Sequence, residues 1–119
     1  MADFKQLLVW QRAHALSIRI SLTSRQIRGA HHLSLRSQMV RAAQSVPANI
    51  VEGRDQPSDR AFSKFLRIAL NSANELESHL ITARDLRAIP KADFDAITSE
   101  LQEVQRMLHG FVRRLKDGT

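Results

Sequence analysis

Lys91-Ala-Asp-Phe94-Asp-Ala-Ile97-Thr-Ser-Glu-Leu101-Gln-Glu-Val104-Gln-Arg-Met-Leu108-His-Gly-Phe111-Val-Arg-Arg-Leu115-Lys116 carries its apolar side chains in one register. Phe94, Ile97, Leu101, Val104, Leu108, Phe111 and Leu115 follow one another by steps of three and four residues. That spacing lines them along one narrow stripe of a helix and leaves the remaining circumference polar. So narrow a stripe belongs to a helix packed among others in a bundle. The pattern predicts a helix over 91–116. Its closing Arg113-Arg114-Leu115-Lys116 complements the negative end of the helix dipole, and Gly118 is the expected stop.

Three further segments lie N-terminal to it. Ser58 is a good N-cap, Asp59 suits a first turn, and Phe62, Phe65, Leu66, Ala69, Ala73, Leu76, Leu80 and Ala83 form a stripe. The expected helix covers 58–88, a rod of about 45 Å, ended by Pro90. Leu35, Met39, Ala42, Ala43, Val46 and Ile50 predict a second helix over 33–53, with Gly53 just past its end. Pro47 lies inside it, removes one amide donor and predicts a kink.

The segment 4–24 also reads as a helix, but its apolar residues fall on two arcs. Phe4, Leu7, Leu8, Ala15, Ile18 and Leu22 share one, which is expected to face the bundle core. Val9, Ala13, Leu16 and Ile20 share the other, which is expected to meet a second subunit. Lys5, Arg12 and Arg19 run between the two. Short connections at 25–32, 54–57 and 88–90 favour an all-α, antiparallel up-down-up-down four-helix bundle as a single domain over 1–119.

Composition agrees with that class. With 119 residues, 43% hydrophobic and 25% charged, the chain has the make-up of one globular domain. Only 4 Gly and 3 Pro, with no Tyr, leave too few turn and strand residues for a β-sandwich. The absence of cysteine removes disulfides, thiolate nucleophiles and thiolate metal sites. The longest apolar run, Leu7-Leu8-Val9-Trp10, is far too short to span a membrane, and no secretory signal is readable, so a cytosolic location is expected.

Charge is placed unevenly. Residues 1–54 hold all of the net +6, and no acidic residue stands between Asp3 and Glu52. Residues 55–119 hold ten charges of each sign. Of the 18 cations 14 are Arg, whose planar fork suits phosphate. Such a basic half points to RNA or DNA, with Lys5, Arg12, Arg19, Arg36 and Arg41 as phosphate contacts. One Trp and no Tyr give few stacking platforms, so base-specific reading is not expected.

Other chemistry finds little support in the spacing. Glu75 and His79 lie four apart on one helical face without a second such pair, so no metal site is expected. The four glycines never cluster into a phosphate-cradling loop, and no cofactor is implied. Arg25 and His31 could assist proton transfer on a phosphodiester, in the manner of helical ribonucleases of the HEPN type. Gln38, Ser45, Asn49 and Glu52 form a polar line beside Pro47, expected to bond across to Ser72 and Glu75 as a structural motif.

The run Gln38-Met-Val-Arg41-Ala-Ala-Gln-Ser45-Val-Pro47-Ala-Asn49-Ile-Val-Glu52-Gly53 resembles the signature of one family. These are the small proteins encoded in intervening sequences of bacterial 23S ribosomal RNA genes. Phe4…Leu8-Val9-Trp10-Gln11…Ala13…Leu16 and Phe62…Phe65-Leu66…Ser72…Glu75-Leu76-Glu77…Leu80 are similar to the family's first and third helices. Leu33-Ser34 departs from it, standing where an aromatic residue and Gly are common. The resemblance implies a cytosolic, non-enzymatic four-helix bundle assembling as a ring, typically a pentamer. It is also similar to the accessory proteins of diversity-generating retroelements, which bind nucleic acid and a reverse transcriptase. A scaffold for a protein partner is the alternative function.

Overall fold

The computed structural model describes residues 3–117 as four helices: α1 (Leu8–Ser24), α2 (Leu33–Arg54), α3 (Asp59–Asp85) and α4 (Lys91–Asp117). No strand occurs among the described residues, and the expected stop at Gly118 lies outside them. α1 and α3 each pack on both α2 and α4, and the α2–α3 seam is the most extensive. The rod measures 48 × 21 × 20 Å. Arg19 of α1 meets Glu100 of α4, and Gln26, just past the end of α1, meets Asp93 near the start of α4. Phe62 meets Phe111 and Arg84 meets Phe94 across α3 and α4. The start of α3 therefore sits with the end of α4, and the far ends of the same helices sit with the end of α1.

Local chemistry sets the boundaries. Ser58 Oγ accepts the Ala61 amide at 3.1 Å and starts α3 as its spacing predicts. α3 stops at Asp85, three residues short of 88. Arg87 turns to φ 57°, and the Ala88 amide donates back to the Ala83 carbonyl at 2.8 Å, closing the helix through a left-handed residue. A Cβ disfavours that conformation, so Arg87→Gly is expected to stabilise the fold by about 1 kcal/mol. Thermal unfolding followed by circular dichroism measures it.

The chain start differs in a similar way. Asp3 caps a 3₁₀ turn over Phe4–Gln6, Leu7 is extended, and α1 begins only at Leu8. In the first connection Gly29 has φ 95°, which a residue with a Cβ rarely adopts, and it leads into a second 3₁₀ turn at Ala30–His32. α2 continues through the buried Pro47. Gly53 lies inside its last turn, not past its end, and is buried. A Cβ there would stand 2.7 Å from Phe62 Cδ1 and 2.9 Å from Phe65 Cβ. Glycine is required because α2 and α3 approach so closely.

The core overturns the assignment of the two arcs of α1. Val9, Ala13, Leu16 and Ile20 are at most 3% exposed and pack with Met39, Val46, Ile50, Leu101 and Leu108. They are core residues, not a subunit interface. Leu8, Ile18 and Leu22, expected inside, are about half exposed. Small hydroxyl residues explain the choice of face. Ser17 and Ser24 lie on the buried side and donate to their own helix carbonyls at His14 and Ser21, so they enter the interior satisfied. Their small volume also lets neighbouring helices approach that side. Ile97, Leu101, Val104 and Leu108 of α4 are fully buried, as the periodicity predicts, while Phe94, Phe111 and Leu115 are partly buried.

Candidate nucleic-acid interface

The cations expected to hold phosphate differ in their surroundings. Lys5 Nζ lies 3.3 Å from Asp3 Oδ2. The Lys5 backbone amide donates to the same carboxylate, and this bond, with the adjacent ammonium, holds Asp3 below the usual carboxylate range. Arg19 is paired with Glu100 on α4. Both cations are thus partly neutralised within the monomer.

The remaining three keep their charge. Arg12 is exposed and has no carboxylate partner among the described residues. Arg36 donates to the Ile27 carbonyl and Arg41 to Ser37 Oγ, each at 3.4 Å, so both bond to neutral acceptors. Arg25 and Arg28, exposed around the first connection, add two more cations without an acid partner among the described residues. The five expected contacts do not converge. Arg19 lies on the α1–α4 seam, Arg36 reaches the first connection, and Arg41 sits on the outer face of α2. The arrangement is a spread of positive charge rather than a cleft. It suits contact with a phosphate backbone, which carries charge along its whole length.

The polar line on α2 resolves into separate contacts. Ser45 Oγ and Ser72 Oγ are 2.8 Å apart across the α2–α3 seam, and Asn49 Nδ2 donates to the Ser45 carbonyl and hydroxyl. Gln38 instead bonds Ser34 within α2 at 2.7 Å. The Glu52 carbonyl accepts from Gln56, and Glu75 faces His79 at 3.4 Å. Ser45 and Ser72 therefore make the interhelical contact, Asn49 supports Ser45 from within α2, and the other residues bond within their own helices or the turn that follows.

Other candidates stay apart. Among the described residues no hydrogen bond or ion pair joins Arg25 to His31, whose ring packs over Gly29 and lies 4.1 Å from that of His32. No group of three or more His, Asp or Glu side chains is placed to hold a metal among the described residues. Among the described residues no helix is long and apolar enough to cross a membrane.

Two features escaped the sequence reading. Trp10 and His14, four apart on α1, stack at 4.8 Å with ring planes 8° apart, and Phe4 meets Trp10 edge-on at 5.1 Å. The spacing was a visible signal, though not one that fixes ring orientation. The other is a basic groove formed where α3 begins and α4 ends.

Comparison with known proteins agrees with this architecture. No curated protein matches the chain. A solved structure is similar over 88% of this chain and 98% of its own, with a TM-score of 0.83 and 24% identity. It is a protein of unknown function from the S23 ribosomal protein family of Bacteroides thetaiotaomicron. At that identity the likeness speaks for the fold. The family model of the 23S rRNA-intervening sequence proteins matches residues 5–110, nearly the whole described chain. The chain belongs to the 23S rRNA-intervening sequence protein family.

Proposed function

We propose that this chain is a non-enzymatic, self-associating helical bundle that binds RNA or DNA through phosphates. One observation carries the reading. The α1–α2 half has no acidic residue between Asp3 and Glu52, and Arg12, Arg25, Arg28, Arg36 and Arg41 have no carboxylate partner among the described residues. Positive charge kept exposed in this way attracts a polyanion and releases its counterions on contact. Self-association rests on α1, whose outer face exposes Leu8 at 54%, Ile18 at 48% and Leu22 at 52% beside Ala15. Steps of seven, three and four residues align these four on one strip, which a second copy would cover. A closed ring, typically a pentamer, is what the family resemblance adds. Repeated copies would then multiply weak phosphate contacts.

Replacing Arg12 and Arg41 together by Gln is expected to weaken binding of a labelled RNA while leaving helicity intact. Both are exposed, and Gln retains part of the aliphatic stem. The log–log slope of affinity against salt should shrink by roughly one to two units per bound subunit. Fluorescence anisotropy at several KCl concentrations measures it. The scaffold reading draws on the same apolar strip, and salt-independent capture of a protein partner without RNA affinity would favour it.

A further inference from the structure

We propose that the groove between the start of α3 and the end of α4 is a second phosphate-backbone site, resting on the reading that this chain binds nucleic acid. The groove measures about 730 Å³ and is lined by Arg60, Lys64 and Arg67 of α3 and by Leu115 and Lys116 of α4. Arg60, Lys64 and Arg67 occupy positions i, i+4 and i+7, which lie along one side of a helix. All three are exposed, and none has a carboxylate partner among the described residues. Like charges at this spacing repel one another, and an anion laid along them removes the repulsion.

Charge segregation along α3 and α4 creates the groove. Residues 55–119 are neutral by count but not in space. The acids of α3 beyond its first residue, Glu75, Glu77 and Asp85, come late in the helix, and four of the five acids of α4, Asp93, Asp95, Glu100 and Glu103, lie in its first half, with Asp117 at its last position. Because the start of α3 lies beside the end of α4, Arg60, Lys64 and Arg67 gather with Arg113, Arg114 and Lys116 at one end of the rod. Asp59 is the acid on the rim, and its place in the first turn complements the helix dipole.

The chemistry fits a nucleic-acid backbone better than a lone anion. Arginine forks and a lysine ammonium spaced along a helix match phosphates repeated along a strand. Leu115 and the aliphatic stems of the cations add apolar lining against which a sugar can pack. The groove is open to solvent rather than enclosed.

The test is fluorescence anisotropy of a labelled RNA oligonucleotide against the full chain at several KCl concentrations. Arg60→Gln, Lys64→Gln and Arg67→Gln are combined in one variant whose helicity is confirmed by circular dichroism. Its affinity is expected to fall at least about tenfold near 0.1 M salt, and its log–log slope to shrink by roughly two units per bound subunit. Arg84→Gln, Arg87→Gln and Lys91→Gln remove the same charge from the opposite end and should have little effect. An unchanged groove variant, while the wild type binds and the Arg12/Arg41 variant is weakened, overturns the groove and leaves the proposed function standing. Equal weakening by the opposite-end variant also overturns it, because bulk charge then explains the loss. A wild type that binds no RNA or DNA at low salt overturns both.

Discussion

Replacing Leu16 and Ile20 together by Glu is expected to abolish the helical circular dichroism of the chain, whereas replacing Ile18 and Leu22 by Glu is expected to leave it folded and, on the proposed self-association, to lower its mass in light scattering. The first pair is 2% and 0% exposed, in the middle of the core formed by α1, α2 and α4. Each substitution forfeits about 1.5–3 kcal/mol of side-chain burial and places a carboxylate where no cation waits, which costs several kcal/mol more. The sum approaches or exceeds the roughly 5–15 kcal/mol that separates folded from unfolded domains. Ile18 and Leu22 are about half exposed, and surface substitutions of that kind change stability by only about 0.5 kcal/mol. Charges on the strip should instead repel a second copy. A folded Leu16/Ile20 variant would contradict the core described for α1. An Ile18/Leu22 variant of unchanged mass would place the assembly contact on another face.

Gly53→Val is expected to lower stability by about 1–3 kcal/mol, a fall of roughly 5–15 °C in melting temperature. The new Cβ would meet Phe62 Cδ1 at 2.7 Å and Phe65 Cβ at 2.9 Å, closer than such atoms approach in folded proteins. Phe62 is 5% exposed and packed edge-on against Phe111, so its ring has little room to turn away. Gly53→Ala meets the same contact, offset in part by the better helix propensity of alanine. Trimming the neighbour checks the mechanism. Gly53→Ala should cost less in a Phe62→Leu background than alone, because the clash is then relieved. Equal costs in both backgrounds would remove the Phe62 ring as the reason for glycine and leave the approach of Phe65 Cβ.

How far the sequence reveals the fold depends on how one-sided each helix is. α3 and α4 separate apolar from polar residues sharply, and their stripes through Leu66, Leu76, Leu101 and Leu108 are buried as expected. α1 distributes apolar residues round its circumference, so periodicity finds two arcs and cannot rank them. The deciding signal was the company of small residues. Ser17 and Ser24 can enter a core on their own backbone bonds, and they flank the arc of Val9, Ala13, Leu16 and Ile20. By sequence Gly53 fits a helix stop, a role glycine commonly fills, yet its reason is tertiary and depends on Phe62 and Phe65.

The candidate site was less legible still. Counting charge by halves located the cations of α1 and α2, but pairing depends on three-dimensional neighbours. Glu100, 81 residues away, neutralises Arg19, and no local pattern announces it. The same count hid the groove at the start of α3, because acids elsewhere in the second half cancel its cations in the sum. The Ser45–Ser72 contact was legible because both lie beside apolar stripes whose burial was already expected.

The central claim, binding of nucleic acid through phosphates, is tested most directly by titrating the wild-type chain into a labelled RNA at a series of KCl concentrations. The account predicts measurable binding at low salt and a linear fall of log affinity with log salt, with a slope of several units as phosphates are neutralised. Absence of binding to RNA and to a matched DNA at low salt, or an affinity indifferent to salt, would contradict it.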